Sequence, residues 1–183
     1  VQWLRDNLRF FRHSSESEAL AASVEDSGGV YVVPAFTGLG APYWDPEAKG
    51  LITGITRATT KAHITRATLE SMAYSAKDLV IVMEKESGIK LSELKCDGGA
   101  SSNDLLMQFQ ADVLGVGVNR PREKESTALG AVYLCALGLN LIKKEDISDL
   151  RECEKFFEPK YDEVKYEKLY DGWKRAVGRC LHD

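Results

Sequence analysis

An α/β fold is predicted by the alternation of short β-branched runs with helical periodicities along this sequence, an order that places helices against a sheet. Two further features agree with it. A long amphipathic helical stripe crosses the middle of the chain, and at residues 94–103 a short strand runs straight into a glycine turn and a new helix. The 183 residues suit one domain, or one piece of a larger protein.

The elements follow in order. Residues 1–8 already read as helix, with Val1, Leu4 and Leu8 spaced for one face and no capping residue ahead of them. A chain opening inside a helix is expected to be a fragment. The helical opening covers about residues 1–25, with a break at Ser14-Ser15, and Gly28-Gly29 ends it. Val30-Tyr31-Val32-Val33 is a buried-strand run. Residues 34–50 combine Gly, Pro and aromatics without either periodicity and read as a long ordered loop. A second strand follows at residues 51–55. Leu69, Met72, Ala73, Ala76, Leu79, Val80 and Met83 then predict a helix over residues 61–86, stopped by Gly88.

Leu94-Lys95-Cys96 is a third strand, and Ser101 or Ser102 is placed to cap a helix that buries Leu105, Leu106, Phe109 and Val113 before Gly115. Residues 116–118 form another strand. A helix beginning at Ser126 or Thr127 is apolar nearly all round, so it is expected inside the molecule. The closing helix sets Tyr166, Leu169, Tyr170, Trp173, Ala176, Val177 and Cys180 on one docking stripe.

Composition excludes several functions. A net charge of −4 leaves no electrostatic footprint for nucleic acid, and Asn119-Arg120-Pro121-Arg122 reads as a short solvated turn. No apolar stretch spans a bilayer, so no membrane role is expected. Cys96, Cys135, Cys153 and Cys180 are scattered, as reduced thiols in a cytoplasmic protein are, three of them in apolar segments that predict burial. His13, His63 and His182 stand alone without metal-ligand spacing, and read as surface or helix-end residues.

The chemistry concentrates at Asp97-Gly98-Gly99-Ala100. Free N–H groups at a helix start favour a phosphate, and glycines remove the Cβ atoms that would hold a ligand off the backbone. Asn103 is placed to aim an amide at a sugar or base. Spacing alone leaves a second reading equally open, a tight turn that needs glycine for its dihedrals. It is no P-loop, since no Lys-Ser or Lys-Thr follows, and it lacks the third glycine of a dinucleotide fingerprint. Thr127-Ala128-Leu129-Gly130-Ala131 fits close helix packing better than phosphate contact. Asp45 starts a turn ahead of Pro46, and Glu70 pairs with Arg66 one helical turn away. No pair of residues reads as a general acid and base.

Gly50, Gly54-Ile55, His63-Ile64 and Ala67-Thr68-Leu69-Glu70 together resemble the second signature of the FGGY carbohydrate kinases, with each constrained position filled. Within that family, Pro34-Ala35-Phe36-Thr37-Gly38-Leu39-Gly40-Ala41-Pro42-Tyr43-Trp44-Asp45-Pro46 is similar to the branch that phosphorylates glycerol. Gln2-Trp3-Leu4-Arg5-Asp6, the glycine turn and Thr127-Ala128-Leu129-Gly130-Ala131 agree, so the resemblance covers essentially residues 1–183. It implies an actin-like, ribonuclease-H-like domain of mixed sheet and flanking helices, the C-terminal of two. It also implies ATP and Mg2+ as cofactors, Gln2, Gly99 and Asn103 as nucleotide contacts with Ala100 beside them, and no catalytic or metal-binding residue in this chain. Glycerol would lie mainly on the absent N-terminal domain, and the full-length enzyme would be a homo-oligomer. Two alternatives remain beside it: the same fold with another acceptor such as xylulose, and a nucleotide switch of the actin and Hsp70 type, which lacks both the signature and the aromatic loop.

Overall fold

The computed structural model describes residues 1–148, 150, 152–160 and 162–182. Its element order is α1 (Gln2–Asp6), α2 (Glu16–Ala22), β1 (Tyr31–Val33), β2 (Leu51–Thr53), α3 (Lys61–Ser87), β3 (Glu93–Lys95), α4 (Asp104–Leu114), β4 (Gly117–Pro121), α5 (Ser126–Gly138), β5 (Cys153–Phe157) and α6 (Glu163–Gly178). The expected α/β order is present, with one addition. Sequence reasoning missed β5, whose charged residues leave only Phe157 buried.

Two small sheets frame the molecule. β1 and β2 pair antiparallel, with Val32 opposite Ile52. The second sheet is mixed: β4 lies between β3, to which it is parallel, and β5, to which it is antiparallel. Parallel β3 and β4 need a crossover, and α4 supplies it. The turn into α3 depends on Gly54, at φ 82°, where an added Cβ would stand 2.0 Å from the Gly29 carbonyl oxygen. No side chain fits there.

α3 is the spine. His63 Nδ1 accepts the Thr60 N–H at 3.2 Å at its start, and Gly88 closes it in the left-handed conformation. The core gathers around Tyr74, stacked on Trp173 at 5.5 Å and edge-on to Phe109 at 5.4 Å. Beside this aromatic nest the buried Asp78 carboxylate accepts from Tyr43 Oη (2.9 Å), Tyr170 Oη (2.6 Å) and Trp173 Nε1 (2.8 Å). One carboxylate thus ties the aromatic loop, α3 and α6 together.

The structure corrects four expectations. The N-terminal helical region is two short helices, and the chain between them turns through Arg9 at φ 55°. Of the stripe expected on α3 only Leu69 and Ala73 are buried, while Met72, Leu79 and Met83 are exposed. No cysteine is fully buried: Cys96 and Cys180 are half-buried, Cys135 and Cys153 exposed. The largest correction is α5, which has no buried residue, with Leu134 71% exposed. Its pattern is that of an interior helix, but α4 packs on β4 and β5 while no described strand or helix covers α5.

Candidate functional site

β3 delivers the chain to the glycine turn, where Gly99–Ser102 wind into one 3-10 turn ahead of α4. The two glycines differ. Gly98 takes φ 77°, and its N–H donates to the Lys124 carbonyl at 2.9 Å, which brings the segment before α5 beside the turn. Gly99 has no left-handed dihedral, and a Cβ added to it would meet no protein atom within 4 Å. The tight-turn account therefore explains Gly98 and leaves Gly99 without a structural reason. Gly99 and Ala100 are exposed, and among the described residues their N–H groups have no protein acceptor. Adjacent unpaired backbone donors on a bare turn suit an anionic oxygen.

The start of α4 is not the open end that the helix-terminus argument expects. Asn103, rather than Ser101 or Ser102, is its cap: Oδ1 accepts the Leu106 N–H at 2.9 Å. Glu18 of α2 takes the Leu105 N–H at 3.1 Å, and Leu105 is half-buried where burial was expected. Ser101 is buried and donates its hydroxyl to the Gly98 carbonyl at 2.7 Å. The donors left for a ligand are those of the 3-10 turn. Oδ1 of Asn103 holds the helix, and among the described residues its Nδ2 donates to no protein acceptor.

Gly99, Ala100 and Asn103 are thus brought together. Gln2 is exposed on α1, and no described hydrogen bond or ring contact joins it to the turn. α1 meets the aromatic loop instead, through Trp3 against Phe36 at 5.7 Å. That loop is ordered, as expected, with an inner and an outer face. Leu39 and Asp45 exchange backbone hydrogen bonds and Tyr43 anchors it inward, while Trp44, 76% exposed, and Phe36 face outward. Asp45 starts a turn as expected, with Oδ1 accepting from Glu47 N and Ala48 N, and Glu70 pairs with Arg66 at 2.8 Å.

The sequence reading missed a charged cluster under the turn. Arg120, placed in a solvated turn by its basic neighbours, is buried in β4 and reaches Asp104 Oδ1 at 2.7 Å, while Lys155 of β5 reaches Asp104 Oδ2 at 2.5 Å. Alternation along the strand was the available signal, since Val118 and Arg120 share a side. Lys155, aided by Arg120, holds the Asp104 carboxyl below the usual carboxylate range. A carboxyl lowered in the fold contributes stability above its unfolded value, and that contribution is lost as pH falls through the lowered one. The unfolding midpoint should therefore drop more steeply below pH 4 in the native sequence than in Asp104→Asn, measured by thermal denaturation against pH.

Among the described residues no three His, Cys, Asp or Glu side chains converge as metal ligands, and no helix is long and apolar enough to cross a membrane.

Comparison with known proteins identifies the family and the fold. The family described as FGGY family of carbohydrate kinases, C-terminal domain, matches residues 1–139. A glycerol kinase of Symbiobacterium thermophilum is 57% identical over 181 residues, which are 98% of this chain and 36% of that protein. Glycerol kinase 1 of Saccharolobus solfataricus is 56% identical over 99% of the chain and 36% of its own length. The chain thus spans about a third of these curated relatives. The crystal structure of Plasmodium falciparum glycerol kinase with ADP superposes with a TM-score of 0.88 at 34% identity, covering 100% of this chain and 36% of that one. A ligand-bound xylulose kinase of Lactobacillus acidophilus, at 23% identity, TM-score 0.82, and coverage of 97% and 37%, shares the fold. The chain belongs to the FGGY family of carbohydrate kinases, and it carries the C-terminal domain of that family.

Proposed function

We propose that this chain is the nucleotide-binding C-terminal domain of a cytoplasmic, homo-oligomeric glycerol kinase, which transfers the γ-phosphoryl group of Mg-ATP to glycerol. The observation that carries this reading is 57% identity to a glycerol kinase across 98% of the chain. In it, the Gly99 and Ala100 N–H groups receive nucleotide phosphate oxygens, Asn103 lines the nucleoside side, and Gln2 contributes from α1. Phosphoryl transfer needs positioning and charge stabilisation from both sides of the ATP. The general base and the glycerol contacts would lie in the remainder of the enzyme, as would any protein ligand of Mg2+, which enters as the partner of the ATP phosphates.

The exposed apolar surface of α5 also supports a larger protein, because exposed apolar area of this kind marks an interface. The full-length protein is expected to form glycerol 3-phosphate and ADP from glycerol and ATP, followed by a coupled ADP assay. The 183-residue chain by itself is expected to give no turnover. Full-length protein that turned over xylulose but not glycerol would overturn the choice of acceptor, and turnover by the purified fragment would overturn the division of labour.

A further inference from the structure

Arg120 rises from β4 directly beneath the glycine turn. Its side chain is 7% exposed and its guanidinium lies over the Phe157 ring, 5.3 Å from the centroid. Nη1 donates to the Ser101 carbonyl at 3.0 Å and to Asp104 Oδ1 at 2.7 Å, so it grips the chain on both sides of Asn103. Nε stands 3.3 Å from Glu154 without an aligned hydrogen bond. Lys155 holds the other Asp104 oxygen.

A buried guanidinium is a costly way to fill space. Apolar residues of similar volume often stabilise a fold as well or better, because burying a charge removes it from water. Its geometry here goes to the turn: the two bonds fix the Ser101 carbonyl within the 3-10 turn and the carboxylate of Asp104, the first residue of α4. That carboxylate is also the acidic group nearest in sequence after the turn, and unpaired it would oppose an incoming phosphate. Two cations share it.

We propose that Arg120, assisted by Lys155, is a positioning residue for nucleotide binding, holding residues 99–103 in their open shape and neutralising Asp104 against the nucleotide phosphates. The proposal rests on the reading of this turn as the nucleotide side of a kinase. Arg120 touches no nucleotide in it and acts through the Ser101 carbonyl and Asp104. A lysine at 120 keeps the charge but ends in a shorter, more strongly hydrated ammonium, without the planar fork that lies over Phe157 while Nη1 reaches both acceptors.

The test is made in the full-length kinase. Arg120→Lys is expected to raise the KM for ATP about tenfold and to leave the KM for glycerol within twofold, with Arg120→Met giving a larger rise of the same kind. A purely structural role would lower the active fraction, and so kcat, while moving neither KM. An unchanged KM for ATP in folded Arg120→Lys, or an equal rise in both KM values, overturns the proposal. If both variants fail to fold, Lys155→Met decides, since that side chain is 47% exposed. It is expected to raise the KM for ATP about threefold, and no change overturns the proposal. Gly99→Val serves as reference. If it raises the KM for ATP and the charged-cluster variants do not, this inference alone fails; if none does, the reading of the turn fails with it.

Discussion

Gly99→Val in the full-length kinase is expected to raise the KM for ATP by about five- to 150-fold while leaving the KM for glycerol nearly unchanged. The range corresponds to about 1–3 kcal/mol, the cost of a blocked or unpaired contact to a phosphate oxygen. The structure makes this substitution informative, because a Cβ at residue 99 meets no protein atom within 4 Å and the backbone there is not left-handed. The fold should accept the valine, so the loss would be felt by the ligand. Gly98→Val is a contrasting case: at φ 77° a β-branched residue is strained, and instability should accompany any kinetic effect. Steady-state kinetics with each substrate varied in turn, beside a thermal melt, separate the two. A KM that moved for glycerol alone would remove the turn from the nucleotide site.

Asp78→Ala is expected to destabilise the fold by about 3 kcal/mol, a fall of roughly 6–12 °C in the unfolding midpoint for a chain of this size. The carboxylate is the shared acceptor of Tyr43, Tyr170 and Trp173, and its removal takes away the acceptor on which all three converge. Burial and the Asp78 charge both raise the Tyr43 and Tyr170 hydroxyls well above their ordinary values, so these groups remain donors across the accessible pH range. Asp78→Asn keeps one acceptor oxygen and should cost less. Chemical denaturation of the three proteins orders them. A native-like Asp78→Ala would mean that aromatic packing around Tyr74, rather than this carboxylate, fixes the loop to the core. Tyr43 also sets the inward face of the segment that turns Trp44 and Phe36 outward.

The family could be read from the linear order of residues alone, and physical reasons make it legible there. Gly54 is demanded by its own left-handed backbone, at φ 82°. Asp45 is fixed by a turn closed within three residues, and Gly88 by the end of a long helix. Such constraints act over a few residues, so they leave their mark on a few residues.

Features that join distant segments were not legible in this way. Sequence could not place α5, because an all-round apolar helix looks the same whether its cover lies in this chain or elsewhere. It assigned the cap of α4 to a serine, since Ser101, Ser102 and Asn103 are all competent, and only the 3-10 turn puts Asn103 at the helix start. Arg120 carried the sharpest lesson: its neighbours are basic and polar, but strand pairing buries it beneath a turn 19 residues earlier in the chain. The sequence by itself determined the α/β class, the kinase family and the residues of the glycine turn, because local geometry demands particular residues at particular spacings. The tertiary structure alone decided which N–H groups of that turn stay open and what holds them in place, because those depend on partners brought together by folding.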